Sequence, residues 1–479
     1  MHWQSKIYYK YRLEEKGVKI ISDYTGILSH TSFLNFLSEK EKSYHIAYSI
    51  PDILDKQKDA DIVILGNKLE IPSFISNKTE TFSFRFSDIP FNGDTQLLSK
   101  FNVDEIISIF EYLQDNDPHF VFSEHRLKGL FKKAKEYASK KGLKALRETI
   151  QTIIEQEPAL NSVIQLSQVW AELQYQSYKL NDSEFLDLIN PIDNFSKPYF
   201  EESKWQEAFY APATNPKTVD KLVHNMKKDK ADKKALLCFD CMGLPEWLLL
   251  KEYLSDLNLS FKESQVLTLL PSITSIARSA IFAGTYDVYE KPNPGQATEE
   301  KDFKTFFGAD HTLYLRENDF TNRDILIGYD TVSVLFNFFD DLSHSAVLQE
   351  NNLTKFNYYN AVLDYLKNSR VKQIFKELLE QKYAIYICSD HGSTIACGNG
   401  KRIDKYLQDT FAKRATIISK DSAELTEYKK VNIPFIDDKI VILPENREMF
   451  ANKNQYEINH GGTTIEEMVV PYIKVKQKK

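Results

Sequence analysis

Hydrophobic and polar positions in the second half of the chain follow the pattern of buried strands that alternate with helices. Short continuous apolar runs predict strands at residues 235–239, 266–270, 383–388, 440–443 and 469–475. Strands that are apolar on both faces and alternate with helices are typical of a mostly parallel, doubly wound sheet. We therefore predict the α/β fold class for the C-terminal part of the chain.

The same pattern divides the chain into four predicted segments. Strand-like and helix-like runs alternate at the start, and apolar residues then recur at helical spacing. A polar, proline-containing stretch with a charged run at its end precedes the first strand of the doubly wound sheet. We predict a small α/β domain at residues 1–105, a helical region at 106–180, an irregular connection at 181–234 and the main α/β domain at 235–479.

Composition and charge limit the classes of function. The chain has 479 residues, 42% hydrophobic and 27% charged, as expected for a globular protein of two or three domains. Its net charge of −7 argues against tight, non-specific binding of duplex DNA, but a local basic groove stays open. The predicted helical region holds such a basic stretch, which is either a solvated face or a contact surface for nucleic acid or an acidic partner. Its members are Arg126, Lys128, Lys132, Lys133, Lys135, Lys140, Lys141, Lys144 and Arg147.

Cysteine usage and hydropathy predict the compartment. The chain has four cysteines, which indicates a reducing environment and predicts a cytoplasmic protein without a disulfide framework. Cys238 and Cys241 have C-x-x-C spacing, but a second such pair is missing, so a cysteine-based zinc site is not expected. The start of the chain shows no apolar signal-peptide run. No segment reaches the roughly 18–20 apolar residues that cross a bilayer, so a membrane is not an expected partner.

Five short motifs carry the candidate chemistry. They lie at residues 238–240, 271–274, 340–344, 389–392 and 459–462. Together they supply three aspartates, three histidines and one hydroxyl, namely Asp240, Asp340, Asp390, His344, His391, His460 and Thr274. This set suits two divalent ions and one nucleophile. The mixture of imidazole and carboxylate ligands predicts zinc, with manganese as the alternative.

The positions of these residues along the predicted elements suggest a common site. Asp240, Thr274 and Asp390 each come just after a predicted strand. Because ligands bind beyond the carboxyl ends of the strands in doubly wound sheets, we expect these residues at one edge. Asp340 and His344 are four residues apart, which puts both on one face of a helix.

Thr274 and Arg278 are candidates for direct action on a phosphate ester. Thr274 precedes a predicted helix, whose free N–H groups suit a phosphoryl group. A metal ion at that point would lower the pKa of the hydroxyl and make it a nucleophile. Arg278 lies one turn later, where it would either bind a phosphate oxygen or form a surface ion pair.

Each of these residues also has an ordinary structural interpretation when it is taken alone. Asp240 would cap the following turn, and Thr274 would be a helix N-cap. Asp390 and His391 would form a hydrogen-bonded turn, and a histidine in a glycine-rich loop, such as His460, usually has no special role. Five such coincidences in this order are not expected, which favours a shared site.

These motifs resemble the PglZ family, within the alkaline phosphatase superfamily. The resemblance is carried by residues 239–243, 271–280, 337–344, 389–392 and 460–471, and it covers roughly residues 235–479. It implies that the main domain is an alkaline-phosphatase-like catalytic domain. Ser272 stands where threonine is frequent in the family, which is a mild departure.

The resemblance also implies roles for individual residues. One metal ion would be held by Asp340, His344 and His460. The second would be held by the other three ligands, which are Asp240, Asp390 and His391, and shared with Thr274. Thr274 would attack phosphorus and form a phosphothreonine, which water would then hydrolyse.

The family implies a place in bacterial phage defence of the BREX type. The function that we expect is hydrolysis of a phosphodiester in nucleic acid or a nucleotide, with a phosphomonoesterase as the nearest alternative. A second class is a scaffold subunit whose metals hold the fold while it binds other defence proteins. A sulfatase is excluded, because neither Cys238 nor Cys241 is followed by x-Pro-x-Arg.

Overall fold

The computed structural model describes residues 2–66, 69, 71–289, 295–346, 348, 353–401, 410–421 and 428–477. The chain forms two compact units, Met1–Lys144 and Ala145–Lys479. The four-segment division predicted above stays a prediction. The long helix α6 (Glu124–Ile154) contains the point where the first unit ends and the second begins.

The first unit is a small α/β fold, as the alternating pattern predicts. Its other elements are α1 (Trp3–Lys10), β1 (Lys19–Asp23), α2 (Thr31–Glu39), β2 (Tyr44–Ala47), α3 (Ile50–Lys56), β3 (Ile62–Leu65), α4 (Ser73–Ser76), β4 (Glu80–Phe84), β5 (Asn92–Gly93), α5 (Val103–Asn116) and β6 (Val121–Phe122). Strands β2, β3, β1 and β4 form a parallel sheet in that order. Ile20 and Ile21 lie on its opposite faces and pack into two different apolar clusters, so both faces are covered.

The second unit is built around a six-stranded sheet. Its helices are α7 (Leu160–Leu180), α8 (Ile189–Glu201), α9 (Leu222–Lys228), α10 (Leu244–Tyr253), α11 (Thr274–Ala283), α12 (Gly295–Phe307), α13 (Phe338–Ser345), α14 (Phe356–Asn368), α15 (Val371–Glu380) and α16 (Ile465–Met468). The sheet consists of β7 (Lys234–Phe239), β8 (Leu259–Leu267), β9 (Thr312–Arg316), β10 (Thr331–Phe336), β11 (Ala384–Ser389) and β19 (Val469–Gln477). The order is β8-β19-β11-β7-β10-β9. Strands β11, β7, β10 and β9 pair in parallel, and β19 pairs antiparallel with both of its neighbours, β11 and β8. This confirms the mostly parallel sheet.

Two smaller sheets complete the second unit. One contains β12 (Thr394–Gly398), β17 (Glu448–Met449) and β18 (Tyr456–Asn459). The other is antiparallel and contains β13 (Thr410–Ala412), β14 (Ala415–Ser419), β15 (Lys429–Asn432) and β16 (Lys439–Leu443). The strand predicted at 440–443 therefore exists, but it belongs to this separate sheet and not to the doubly wound one.

Residues 181–234 are more regular than their proline content predicts. The helices α8 and α9 lie in this stretch, and Pro198 sits inside α8. Ile192, Phe195, Tyr199 and Phe200 are all buried, at spacings that form one face of α8. Packing of this apolar face outweighs the local cost of the proline. The structure therefore has helices in a stretch whose prolines predict an irregular chain.

Three neighbouring parallel strands bring the candidate residues to one edge of the large sheet. Phe239, the last residue of β7, pairs with Ser389 of β11 and with Phe336 of β10. Asp240 and Asp390 are the residues that follow β7 and β11, so they leave the sheet side by side. The helix that carries Asp340 starts two residues after β10. The sheet register thus places three carboxylates at one end of the strands.

Candidate metal centre

The first group of candidate ligands is fully buried. Asp240, Asp390 and His391 each offer one ligand atom, and these atoms all lie within 4.8 Å of one another. Asp390 Oδ1 accepts hydrogen bonds from the backbone N–H groups of Cys241 (3.1 Å) and His391 (2.9 Å). These bonds join the loops that follow β7 and β11 and fix the orientation of the carboxylate.

The second group adjoins the first. Asp340, His344 and His460 also offer ligand atoms within 4.8 Å of one another. The Nε2 atoms of His344 and His460 lie 3.3 Å and 3.5 Å from Asp340 Oδ1. The rings of His391 and His460 stack with centroids 4.0 Å apart, which brings the two groups into contact. All six residues predicted as protein ligands, apart from the threonine, are therefore gathered in two adjacent trios.

Two histidines are held in the orientation that a metal ligand needs. His391 Nδ1 lies 3.1 Å from the carbonyl oxygen of Gly392, and His460 Nδ1 lies 3.2 Å from that of Ser272. A carbonyl oxygen only accepts, so each Nδ1 carries the proton in these bonds. In a neutral imidazole the Nε2 lone pair is then free to face the centre, and this backbone support is typical of histidine ligands.

Burial shifts the pKa values of the first trio and of His460 towards their neutral forms. Burial, reinforced by the charge of Asp390, raises the pKa of Asp240, and burial raises that of Asp390 to about 6. Burial also lowers the pKa of His460 to about 4 and lowers that of His391. The imidazoles are therefore neutral near pH 7, and the carboxylates would be stabilised as anions by positive charge placed between them.

Two buried carboxylate oxygens support the presence of cations. Within the described residues, Asp390 Oδ2 is buried without a hydrogen-bond partner, and the buried Asp340 Oδ1 has only the histidine Nε2 atoms described above beside it. A buried carboxylate oxygen that lacks a donor is costly unless an ion compensates it. The donor set of imidazole nitrogens and carboxylate oxygens suits zinc or manganese. The residues present therefore fit two divalent ions.

Thr274 lies at the junction of the chain segments that form the first trio. Its Oγ1 lies 3.0 Å from His391 Nε2 and donates to Asp240 Oδ1 at 3.3 Å. It is the first residue of α11, and Ile273 is the N-cap, so the N-cap interpretation of Thr274 is wrong. The side chain of Asp240 likewise contacts Thr274 and Arg278 and does not cap α10, whose N-cap is Gly243.

Arg278 is anchored within the same site. Its Nη1 donates to Asp240 Oδ2 at 2.5 Å, and its Nε donates to Glu299 Oε1 at 3.0 Å. Glu299 Oε2 in turn accepts from the hydroxyl of Tyr314 at 2.9 Å. The arginine is mostly buried, with 12% of its side chain exposed, so the interpretation as a surface ion pair is wrong. Its action on phosphate stays a prediction.

A supporting pair holds the loop of His460 and was not predicted. Glu467 accepts from Arg414 Nε (2.7 Å) and Nη2 (2.8 Å), and also from the N–H of Gly462 (2.8 Å). Both side chains are almost fully buried. Thr464 and Glu467 form the T-x-x-E spacing of a capping box, which was a usable sequence signal for the glutamate. No comparable signal marks Arg414.

Ser272 connects the same loop to the segment before Thr274. Its Oγ donates to the carbonyl of Gly462 at 2.8 Å and accepts from the N–H of Gly461 at 3.1 Å. Its own carbonyl is the partner of His460 Nδ1. The residue that departs mildly from the family pattern therefore fixes a histidine of the second trio.

A family model matches the part of the chain that contains this site. Residues 218–475 match the PglZ family, described as the BREX system PglZ alkaline phosphatase-like domain. No curated protein sequence gives a significant match. Among solved structures, murine ectonucleotide pyrophosphatase/phosphodiesterase 5 is similar with a TM-score of 0.33 and 12% identity, over 50% of this chain and 87% of that chain. The human counterpart gives a TM-score of 0.31 and 12% identity over the same shares.

Among the helices of the described ranges, none combines the length and the apolar character that a bilayer-spanning segment requires.

The family match covers more than half of the chain's 479 residues, and it includes all eight residues proposed for the site. Its description is that of a phosphoesterase-type domain in BREX defence. On this match and the two ligand trios within it, the chain belongs to the PglZ family.

Proposed function

We propose that this protein is a metal-dependent phosphodiesterase that uses Thr274 as its nucleophile and acts in bacterial anti-phage defence. The substrate that we propose is a phosphodiester of nucleic acid or of a nucleotide, hydrolysed in the cytoplasm. One observation carries the proposal: the hydroxyl of Thr274 lies 3.0 Å from His391 and 3.3 Å from Asp240, at the start of a helix and beside two ligand trios.

The two trios would hold the two metal ions. Asp240, Asp390 and His391 would bind one ion, together with Thr274 Oγ1. Asp340, His344 and His460 would bind the other. When bound, zinc or manganese ions would lower the pKa of the attacking hydroxyl and neutralise charge on the phosphoryl oxygens.

Thr274 would perform the chemical step. Its Oγ1 loses the proton that it now donates to Asp240 and attacks phosphorus, while the bond from phosphorus to the leaving alcohol breaks. The proton from Oγ1 passes to water, and the leaving oxygen takes up a proton from water as the alcohol departs. Water then attacks the phosphothreonine, the Thr274 Oγ1–phosphorus bond breaks, and the hydroxyl is restored. Each half of the reaction is a displacement at phosphorus, and no oxidant or second substrate is needed.

Arg278 would bind an oxygen of the phosphoryl group. Glu299 holds its Nε and Tyr314 holds Glu299, so the guanidinium keeps one orientation beside Thr274. The N–H groups of the guanidinium that do not contact Glu299 or Asp240 would donate charge-assisted hydrogen bonds to this oxygen. The contact with Asp240 would also limit the motion of this carboxylate.

The defence setting favours a diester over a monoester. The family is described as part of the BREX system, and both phage genomes and nucleotide signals are joined by phosphodiester bonds. A monoester substrate and a scaffold role remain the competing outcomes of the test.

The test compares hydrolysis of bis-p-nitrophenyl phosphate with that of p-nitrophenyl phosphate, with zinc or manganese added. We expect metal-dependent turnover of the diester, which falls by at least about 10³-fold in Thr274→Ala because the covalent nucleophile is lost. Ser275→Ala is the matched control, since Ser275 is the next hydroxyl of α11 and is partly buried like Thr274. Metal content is measured for all three proteins.

Three results would contradict the proposal in different ways. Preference for the monoester would make the protein a phosphatase. Equal loss in Thr274→Ala and Ser275→Ala would reject Thr274 as the nucleophile. Turnover of neither ester with two metals bound would favour the scaffold role, which full phage protection by Thr274→Ala cells would support.

A further inference from the structure

An apolar cavity in the second unit lies outside the metal centre. It has a volume of about 220 Å³, and none of the eight proposed site residues lines it. Five aromatic residues from four chain segments contribute to its wall: Trp170, Phe185, Phe356, Tyr359 and Tyr456. The ring of Phe185 lies 5.6 Å from that of Trp170 and 6.0 Å from that of Phe356. Such a wall offers faces and edges on which a planar ring packs. We call this the inner cavity.

The charged groups in this wall are already neutralised. Lys355 Nζ donates to Glu246 at 3.0 Å. Arg447 donates to Asp193 at 2.8 Å and 2.9 Å and to Glu466 at 3.0 Å. A charged ligand group in the cavity would lose its water without gaining an unpaired counter-charge, which is unfavourable. The part of a ligand that enters the inner cavity is therefore uncharged.

Two polar groups in the wall are unsatisfied. Within the described residues, Gln174 Nε2 and the hydroxyl of Tyr359 are buried without a hydrogen-bond partner. Gln174 is 7% exposed and Tyr359 is 2% exposed, so bulk water does not serve them. The terminal amide of Gln174 turns about a soft torsion, and an acceptor on a ligand would pair its N–H. An aromatic ring that bears ring nitrogens or a carbonyl supplies such an acceptor.

A second, polar cavity adjoins the first. It has a volume of about 580 Å³ and shares Thr354 and Phe356 with the inner cavity. Asn181, Asn357 and Asn360 line it, so its wall is rich in amide groups that both donate and accept. Such a wall suits hydroxyl groups. The two volumes together fall in the ~300–1,000 Å³ range of small-molecule sites. We call this the outer cavity.

We propose that the inner and outer cavities form a binding site for an uncharged ligand with a planar aromatic head and a hydroxylated tail, the chemical class of nucleosides. The head occupies the inner cavity and bonds to Gln174, and the tail lies against the asparagines of the outer cavity. This site is separate from the metal centre and does not depend on the proposed hydrolysis.

The test is isothermal titration of the full chain with three probes: adenosine, ribose and 1-octanol. Adenosine has the proposed head and tail, ribose has the tail alone, and octanol is an uncharged aliphatic chain without a planar ring. We expect one adenosine per chain, and binding at least about tenfold weaker for ribose and for octanol. The metal-ligand variant Asp340→Asn should bind adenosine with unchanged affinity, because the sites are separate.

Variants of the wall locate the ligand. Gln174→Leu removes the buried donor and should weaken adenosine binding by at least about tenfold, while thermal stability is kept or raised. The matched control is Gln165→Leu, on the exposed face of the same helix α7, which should bind like the wild type. Ala396→Leu projects a larger side chain from the inner wall and should also weaken binding. If Gln174→Leu does not fold, Tyr359→Phe takes its place.

Three outcomes of the probe and wall-variant titrations would each reject the proposal. These are the absence of adenosine binding to the wild type, equal affinity in Gln174→Leu and Gln165→Leu, and tighter binding of octanol than of adenosine. Loss of adenosine binding in Asp340→Asn would also overturn it, because adenosine would then occupy the metal centre.

Discussion

The buried pair of Arg414 and Glu467 provides a quantitative test of how the centre is supported. The perturbation is Arg414→Met, which keeps an unbranched side chain and removes the charge. Arg414 donates twice to Glu467 and once, at 2.7 Å, to the carbonyl of Glu448. After the substitution, Glu467 keeps the N–H of Gly462 and the donors of Thr464. A buried carboxylate is then left without its counter-charge.

The expected loss follows from the pKa of Glu467. Burial opposes ionisation, but Arg414 and the neighbouring donors outweigh it and lower the pKa from 4.5 to about 2. Each pKa unit corresponds to about 1.4 kcal/mol, so the environment favours the carboxylate by roughly 3 kcal/mol. Removal of one partner of a buried ion pair typically costs about 3–5 kcal/mol. We expect the free energy of unfolding to fall by about 3 kcal/mol at pH 7.

The pH dependence gives the sign of the effect. In the wild type the folded-state pKa lies below the unfolded value of 4.5. This contribution to stability is therefore complete above pH 4.5 and is lost as the pH falls towards 2. In Arg414→Met burial dominates and raises the folded-state pKa of Glu467 above the unfolded value. Protonation of Glu467 then removes the unpaired buried charge from the variant. The difference in free energy of unfolding between wild type and variant should therefore become smaller from pH 7 to pH 5.

Urea unfolding of the full chain measures the effect in the second unit. Of the four tryptophans, Trp3 alone lies in the first unit, and Trp170, Trp205 and Trp247 lie in the second. In a Trp3→Phe background, fluorescence therefore reports unfolding of the second unit only. The comparison between Arg414→Met and its parent is made at pH 7 and at pH 5.

A neighbouring pair and a double variant serve as controls. Lys413 pairs with Glu457 at the surface, and 42% of its side chain is exposed. Lys413→Met should cost about 0–1 kcal/mol. The double variant Arg414→Met, Glu467→Gln removes both charges and should recover part of the loss. A loss below about 1 kcal/mol in Arg414→Met, or a difference that widens on acidification, would refute the electrostatic explanation.

Three further predictions concern the metals. Asp340→Asn should reduce the bound metal from two ions to one per chain in a mass-spectrometric metal assay, whereas Asp341→Asn, on the exposed side of the same helix, should keep two. Ser272→Ala leaves the N–H of Gly461 without its hydrogen-bond partner and loosens the loop of His460. Metal affinity, measured by competition with a chelator, should therefore fall about 10–100-fold. An unchanged metal affinity would show that Ser272 does not hold this loop in place. Removal of metal with a chelator should lower the thermal midpoint of the second unit, and added zinc or manganese should restore it.

The sequence predicts best the positions of those metal-centre residues that directly follow parallel strands. Asp240 and Asp390 follow directly after apolar runs, and residues after neighbouring parallel strands must lie together. Asp340 and His344 are joined by helix periodicity. For these residues local patterns are enough, because the element and its end both have sequence signals.

The remainder depends on long-range packing that the local pattern does not contain. His460 follows β18, an antiparallel strand of a small separate sheet. The resemblance to the family therefore predicts that His460 is a metal ligand, whereas its spacing from the other ligands does not. The contacts of Ser272, Arg414 and Glu467 join residues far apart in the chain. Helix α8 was not predicted because its prolines suggest a loop. The burial of its apolar face stabilises the helix despite these prolines.

The order of strands in the large sheet has a consequence for synthesis of the protein. Strand β8 is synthesised early in the second unit, and its neighbour in the sheet, β19, is synthesised after all the other described strands. Until residues 469–477 leave the ribosome, β8 lacks this partner and β11 has one bare edge. Such edges are open to wrong pairing with other chains. The first unit can complete its own sheet during translation, but the unit that carries the metal centre closes only after nearly all of the described chain has been synthesised.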